Sequence, residues 1–272
     1  MVEGNKTMTA LTFALILAGH QAPMKSGEII SKCLAKYAGS LSGVGEFMMT
    51  QSANGKKVSI KTELQFERPS KMYLHQSSPT VEPNDWLVVS DGNQFGYDVP
   101  GSRKSARRRL FEPVASAPGV NGERKVLQVH GIYLASKRSL GDVPNPFLEF
   151  ITQSAAENQS LKGYLSRLKK IEPEPKEKEL VDGTTGYSIS GTMWFGDQLK
   201  DQDGKFLEQY ESVGRYEMQI SKSFELVSMK TVETMAITDK ASNLPTQINI
   251  VTTWAGKMQL DVKPEATIFK VQ

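Results

Sequence analysis

The sequence predicts an α+β fold in which a long antiparallel sheet curls around a small number of helices. Three observations favour this class. Apolar and polar residues alternate strictly through "KVSIKTELQFE" (57–67), dipeptides typical of tight hairpins recur along the chain, and helical spacing occurs near the start and again in the middle. No repeat of fixed period divides the 272 residues, so we expect one domain over 23–272.

The first residues have the pattern of a secretory signal peptide. Lys6 precedes an apolar run over 8–19, which is too short to span a bilayer and has the length of a signal-peptide core. A buried N-terminal helix is the alternative, but Pro23 and the polar residues after it argue against one. We expect residues 1–22 to be removed on export to the periplasm or the cell exterior, with the cleavage position undefined because His20 or Leu17 stands where a small residue is usual.

The first element predicted after this segment is a helix over Gly27–Tyr37. Apolar residues recur there at helical spacing, and Gly39 ends the run. Cys33 lies on the apolar face, so we expect a core position for it rather than a reactive thiol. It is the only cysteine in the chain and cannot form an internal disulfide.

Strands are expected next, near 43–51, 56–67, 71–77, 86–90 and 94–99. Alternation gives each strand one apolar and one polar face, which is typical of an antiparallel sheet covered on one side. Residues that favour positive φ mark the turns, and they occur at Asn54-Gly55, Asp91-Gly92, Asp182-Gly183 and Asp203-Gly204.

The middle of the chain carries helical spacing, in "RKVLQVHGIYLASKRSL" (124–140) and "NPFLEFITQSAAENQSLKGYLSRLKKI" (145–171). We therefore expect a helical insert at about 125–170. The charged, proline-rich "EPEPKEKE" (172–179) predicts an exposed connection, after which strand patterns resume and continue to a final strand in "ATIFKVQ" (266–272).

Recognisable catalytic or metal-binding motifs are absent from the sequence. The three histidines, His20, His75 and His130, are isolated, and no HExxH, paired-cysteine, G-x-S-x-G, P-loop or dinucleotide motif occurs. We expect no enzyme, no cofactor and no metal. A formal net charge of +3 gives no reason to expect a nucleic-acid partner.

A basic cluster in "RKSARRRLF" (103–111) is open to two interpretations. It could contact anionic lipid headgroups or an acidic partner protein, or it could be a solvated surface, as charge runs usually are. The residues concerned are Arg103, Lys104, Arg107, Arg108 and Arg109.

The segment Phe66–Val99, "FERPSKMYLHQSSP…LVVSDGNQFGYDV", resembles the pattern of the periplasmic outer-membrane lipoprotein carrier family (LolA/LolB-like). The resemblance covers about residues 25–100 and rests on an ordered set of features. These are Arg68-Pro69, Pro79, the strand Leu87–Gly92, and Phe95 with Tyr97.

The resemblance implies an incomplete β-barrel whose concave face is covered by helices over an apolar cavity for acyl chains. In that family the arginine of Arg-Pro holds the helical lid by hydrogen bonds, so Arg68 is the expected lid latch. The expected turn scaffold comprises Pro69, Asp91, Gly92 and Tyr97. The side chains that could line the cavity, or alternatively fill a core, are Met48, Val58, Ile60, Leu64, Phe66, Met72 and Leu74.

The function expected from the resemblance is that of a non-enzymatic carrier or chaperone in the cell envelope, acting as a monomer. Its partners would be the acyl chains of a lipid or lipoprotein, together with membrane-associated donor and acceptor proteins. The alternative is a regulatory, protein-binding module on the same fold that senses envelope state. An exported hydrolase is a third and weaker hypothesis.

Overall fold

The computed structural model describes residues 23–68, 71–80, 85–99, 108–113, 145–152, 165–200, 206–238 and 245–270. Within them the chain forms two α-helices, α1 (Ser26–Gly39) and α2 (Pro146–Thr152), and 3₁₀ helices at Leu165–Arg167 and Ala266–Phe269. The strands are β1 (Ser42–Ala53), β2 (Lys56–Glu67), β3 (Lys71–Ser77), β4 (Asp85–Asp91), β5 (Gln94–Val99), β6 (Arg108–Pro113), β7 (Leu168–Ile171), β8 (Lys176–Glu179), β9 (Thr185–Lys200), β10 (Phe206–Ser221), β11 (Leu226–Thr238) and β12 (Pro245–Leu260).

These strands form one antiparallel sheet in the order β6-β5-β4-β3-β2-β1-β12-β11-β10-β9-β7, with β8 also paired to β9. The five strands expected in the first half are confirmed within about two residues. The sheet is open, since β6 lies at one end of this order and β7 at the other. Pairing of β1 with β12 joins the two halves of the chain, with Phe47 opposite Gly256.

The sheet is curved around the two helices. Val88 in β4 and Ile189 in β9 are seven strand spacings apart, which is about 34 Å in a flat sheet. Both are nevertheless fully buried in one cluster that also contains Ile29 of α1 and Phe150 of α2. Two helices can reach both strands only if the sheet curls toward them, as strand twist favours. The expected α+β class, with a long antiparallel sheet wrapped around helices, is confirmed.

The first helix occupies the predicted place. Ile29, Ile30, Cys33 and Tyr37 are buried, as helical spacing requires of one apolar face. Burial raises the pKa of the Cys33 thiol well above its usual range, which agrees with a core position rather than a reactive one. Neither of the described α-helices is long and apolar enough to cross a membrane.

Three expectations about later segments are wrong. Leu168–Ile171, at the end of the expected helical insert, is a strand, and Lys176–Glu179 is a strand rather than a connection. Both pair with β9, and this edge position tolerates four exposed charged residues in β8 because the pairing uses the backbone. Ala266–Phe269, expected to be a strand, forms a 3₁₀ helix that lies across β3 and β4. It cannot pair with them as a strand, because both edges of β3 and of β4 are already paired. Instead it contributes the buried side chain of Phe269.

The hairpin turns carry the backbone conformations that the sequence predicts. Asn54 and Gly55 have φ of 49° and 74°, and Gly92 and Gly183 have φ of 98° and 80°. The expected signal peptide over 1–22, the helical pattern over 124–140 and the Asp203-Gly204 turn lie outside the described residues.

Candidate functional site

The Arg68 side chain joins the end of β2 to both helices. Its Nε donates a hydrogen bond to the carbonyl oxygen of Ser40 at 2.8 Å. One terminal nitrogen donates to the carbonyl oxygens of Tyr37, at 3.2 Å, and of Ile151, at 2.8 Å. Tyr37 and Ser40 lie at the C-terminal end of α1, and Ile151 lies near the end of α2. A single partly buried guanidinium therefore connects the sheet, α1 and α2.

This arrangement suits the chemistry of helix ends. The last carbonyl groups of a helix have no partner within the helix and carry partial negative charge, so a cation there stabilises them. The planar guanidinium can donate to several acceptors at once, which a lysine ammonium on a flexible chain does less well. The backbone of Arg68 adds a further contact, because its N–H donates to the carbonyl oxygen of Leu41 at 2.8 Å.

The short helix α2 is held in place from its own start. The Asn145 Oδ1 accepts hydrogen bonds from the backbone N–H groups of Phe147, at 3.0 Å, and Leu148, at 3.3 Å, as an N-cap residue does. The buried carboxylate of Glu149 accepts a hydrogen bond from the N–H of Leu165 at 3.1 Å. The chain on the far side of the segment 153–164 is thereby tied to α2.

Aromatic contacts seal α2 against the sheet and α1. Phe147 stacks on Phe47 of β1, with ring centroids 3.8 Å apart. Phe150 meets the Tyr37 ring edge-on at 5.7 Å. All four side chains are at most 1% exposed, so this contact is dry. Helix α2 covers apolar surface that would otherwise face water.

A second polar contact holds the other side of α1. Lys36 Nζ forms an ion pair with Glu225 at 2.8 Å and donates to the Ser223 carbonyl oxygen at 2.9 Å. The same turn presents Phe224, whose ring lies under the ammonium of Lys32 at 5.3 Å. Helix α1 is thus attached to the β10–β11 turn as well as to Arg68.

Most of the residues expected to line a cavity lie together on the concave, helix-covered face. Ile60, Leu64, Phe66, Met72 and Leu74 are at most 2% exposed and belong to the buried cluster, and Val58 packs against its margin. In this arrangement they contact other core side chains. Their role in lining a ligand cavity stays a prediction, and it requires the helices to move away from the sheet.

The expectation that Met48 lies on the helix-covered face is wrong. Its side chain is 44% exposed, whereas Phe47 and Met49 on either side are buried. Three consecutive apolar residues leave the direction of the pleat undefined, and the pairing of Phe47 with Thr62 of β2 sets it. Phe47 and Met49 are the residues of this run that face the helices.

Of the expected turn scaffold, the structure describes Asp91 and Gly92 in full and Tyr97 by its backbone. The Asp91 Oδ1 accepts hydrogen bonds from the N–H groups of Asn93, at 2.8 Å, and Gln94, at 2.9 Å, and so fixes the β4–β5 turn around Gly92. Tyr97 lies in β5 opposite Val88, and nothing further is described of its side chain. Pro69 lies outside the described residues.

The basic cluster falls largely outside the described part of the chain. Arg103, Lys104 and Arg107 are not described. Arg108 and Arg109 lie in β6, where their backbones pair with Val99 and Asp98. Among the described residues no group of three His, Cys, Asp or Glu side chains could hold a metal ion. His75 lies in β3 with its Nδ1 3.7 Å from the carboxylate of Glu63.

Two features of the site have no signature in the sequence. The acceptors of Arg68 are backbone carbonyls, which any residue supplies, and α2 is a seven-residue helix within a longer helical pattern. The one available signal was the N-cap, since Asn145-Pro146 is a typical start for a helix.

No protein-family model and no curated protein matches the chain. Solved structures similar to it include LprF from Mycobacterium bovis, at 12% identity and a TM-score of 0.35, covering 88% of this chain and 93% of that one. A LolA superfamily protein from Nitrosomonas europaea is similar at 10% identity and a TM-score of 0.30, covering 91% and 98%. A DUF1329 family protein from Desulfovibrio piger has 13% identity and a TM-score of 0.30, covering 89% and 95%.

Proposed function

We propose that the protein is a non-enzymatic carrier that takes up hydrocarbon chains between its curved sheet and a lid formed by α1 and α2. The observation that carries the proposal is the position of Arg68. Its guanidinium holds both helices by backbone hydrogen bonds directly above an apolar sheet face. A contact of this kind can be broken and remade without disturbing the strand pairing below it.

The composition of the covered face supports an apolar ligand. It includes flexible and unbranched side chains, Met49, Met72, Met218, Met229 and Met258, all at most 1% exposed. Methionine adapts its shape more readily than branched side chains do, which suits a surface that meets helices in one state and a flexible chain in another. An acyl chain would replace the helix contacts by contacts of the same chemical kind.

The energies of the two steps are compatible with reversible uptake. Each buried methylene of an acyl chain contributes about 0.8 kcal/mol, so a chain of ordinary length can displace helix contacts of comparable area. Each hydrogen bond of Arg68 contributes about 1.5–3 kcal/mol to the closed form, because its donor is charged. The lid is therefore held closed without ligand and can still be opened by one.

We infer that the cargo is the acyl part of a lipid or lipoprotein, received from and delivered to membrane-associated proteins in the cell envelope. The signal-peptide pattern over 1–22 supports export, and the basic cluster over 103–109 supports contact with anionic headgroups or acidic partners.

The test is uptake of a fluorescent hydrophobe by the purified protein, followed by displacement with a fatty acid. We expect saturable uptake, displacement at a stoichiometry of one site, and co-purified lipid in native mass spectra. A folded protein that shows neither uptake nor co-purified lipid would contradict the proposal. Capture of a partner protein without any hydrophobe uptake would favour the regulatory module instead.

A further inference from the structure

A second concave site lies away from the lid, where the edge strand meets β9 and β10. It has a volume of about 510 Å³, and its walls come from β9, β10, β11 and Glu172, which follows β7. Its polar side chains include Ser190, Thr192, Arg215 and Lys230. These residues alternate along their strands with Ile189, Met193, Met218 and Met229 of the buried cluster, so they lie on the convex face of the sheet.

The shape of this pocket depends on an interruption in the edge strand. Both β7 and β8 pair with β9, and the four residues between them form a bulge. The N–H of Glu172 donates to the carbonyl oxygen of Ser190 at 2.9 Å, which places Glu172 at the rim. Gly191 permits the close approach, because a Cβ there would lie only 1.9 Å from the carbonyl oxygen of Lys170.

The two carboxylates that line the pocket are already neutralised by lysines outside its lining. Glu172 forms an ion pair with Lys170 at 3.0 Å. Glu217 is paired with Lys178. The pKa of Glu217 is lowered chiefly because Lys178 donates to it, and also by hydrogen bonds from Ser188 and Gln219, against the opposing effect of burial. Neither carboxylate adds uncompensated negative charge.

The two cations that line the pocket have no such compensation. Within the described part of the chain, neither Arg215 nor Lys230 forms an ion pair or a side-chain hydrogen bond. Arg215 lies opposite Thr192 and Lys230 opposite Glu217 in the strand register, so both project from neighbouring strands over the same area. Counted with Lys170 and Lys178, which pair with the two glutamates, the charged groups in and beside the pocket are four cations and two carboxylates, a net charge of +2.

Neutral donors complete the site. The hydroxyl groups of Ser190 and Thr192 make no hydrogen bond to any described residue, and both line the pocket. Tyr216 borders the pocket from the buried side, where its ring packs in the core and its hydroxyl donates to the carbonyl oxygen of Lys170 at 3.4 Å. Burial, and secondarily the nearby Glu172, raise the pKa of Tyr216 to about 12, so it adds no negative charge to the pocket at neutral pH.

We propose that this pocket binds the phosphoryl group of a small anionic ligand, either a free phosphate compound or the headgroup of a phospholipid. A guanidinium can donate two hydrogen bonds to two oxygens of a phosphoryl group, and an ammonium can bind a third. The hydroxyls of Ser190 and Thr192 donate to the remaining oxygens. The site is separate from the lid, because its charged and hydroxyl side chains lie on the opposite face of the sheet from the helices.

The experiment uses two probes, inorganic phosphate and vesicles of phosphatidylcholine with or without phosphatidic acid. Binding is measured by calorimetry or NMR titration for phosphate and by co-sedimentation for vesicles. The variants are Arg215→Gln and Lys230→Gln, which remove the charge but keep a side chain of similar length. The matched control is Lys257→Gln, since Lys257 is exposed on the convex face of β12 and lies outside the pocket.

We expect each pocket variant to weaken binding about tenfold, which corresponds to about 1.4 kcal/mol. The Lys257→Gln control should bind as the wild type does. If the pocket variants bind inorganic phosphate more weakly than the wild type does, the site is one for a free phosphate compound. If their binding is weakened only for vesicles that contain phosphatidic acid, the ligand is a lipid headgroup. Absence of binding to both probes, or an equal loss in all three variants, would overturn the proposal, the latter because it indicates general charge attraction.

Discussion

Replacement of Arg68 by leucine tests the latch most directly. The substitution removes one hydrogen bond to α2, through Ile151, and two to the end of α1, through Tyr37 and Ser40. Helix α1 keeps its ion pair between Lys36 and Glu225, so the contact with α2 is the one whose loss frees the lid. We assign it about 1.5 kcal/mol, the lower end for a charged donor, because Arg68 is only partly buried.

This loss should increase hydrophobe affinity. A ligand that binds only the open form has an apparent Kd equal to the intrinsic Kd divided by the open fraction. Since about 1.4 kcal/mol corresponds to a factor of ten, the loss of about 1.5 kcal/mol from the closed form raises a small open fraction about tenfold, and the apparent Kd falls about tenfold. Closure of the lid displaces the cargo, and in the Arg68→Leu protein the lid closes less readily. We therefore expect this variant to release cargo, and to transfer it to an acceptor, more slowly than the wild type does.

The assay is a titration with a fluorescent hydrophobe, followed by stopped-flow displacement with a fatty acid, for wild type, Arg68→Leu, Arg68→Lys and a Lys257→Leu control. Arg68→Lys keeps the charge but not the planar group that reaches three acceptors, so it should lie between wild type and Arg68→Leu. The control removes an exposed charge far along the chain and should leave the Kd unchanged. A folded Arg68→Leu protein with wild-type affinity and exchange rate would refute the latch.

Three further predictions concern stability, each measured as the free energy of unfolding in urea. Phe147→Ala removes the ring stacked on Phe47 and should cost about 3–5 kcal/mol; a loss below about 1 kcal/mol would mean that α2 is not packed as described. Gly191→Ala places a Cβ against Lys170 and should cost about 1–3 kcal/mol, whereas Gly27→Ala, with open space around it, should not destabilise. Glu217→Gln should lower the free energy of unfolding most at neutral pH. The pKa of Glu217 is lowered in the folded state, so its stabilising contribution is complete above the ordinary carboxyl pKa and disappears as the pH falls through the folded pKa. A difference in stability from wild type that persists in acid, or one no larger than that of an exposed Glu265→Gln control, would contradict this.

The sheet could be predicted from the sequence because its signals are local. Alternation over 57–67 specifies which residues of β2 are buried, and the Asn54-Gly55 turn then fixes the register with β1. The same logic failed at Met48, where three apolar residues in a row erase the alternation. There the buried face is chosen by the partner strand, which the local sequence does not contain.

The contacts of Arg68 could be predicted only in part. The Arg68-Pro69 pair identified the residue that joins sheet and helices through its resemblance to a known pattern, but it could not identify the acceptors. Ile151 accepts through its backbone, and any residue at that position would do the same. What selects it is the position of α2, which depends on the packing of Phe147 and Phe150 against side chains a hundred or more residues earlier.

The edge of the sheet shows most clearly how the two sites depend on one structural feature. The proline-rich segment 172–179 predicts a connection, and in the fold only its first half, 172–175, interrupts an edge strand, which also protects that edge from pairing with another chain. The N–H of Ser26 donates to the carbonyl oxygen of Pro173 at 2.9 Å, so the interruption fixes the start of α1. The N–H of Glu172 binds Ser190 on the other side and fixes the rim of the phosphate pocket. This interruption, which continuous strand pairing would remove, thus positions α1 on one face of the sheet and the pocket on the other.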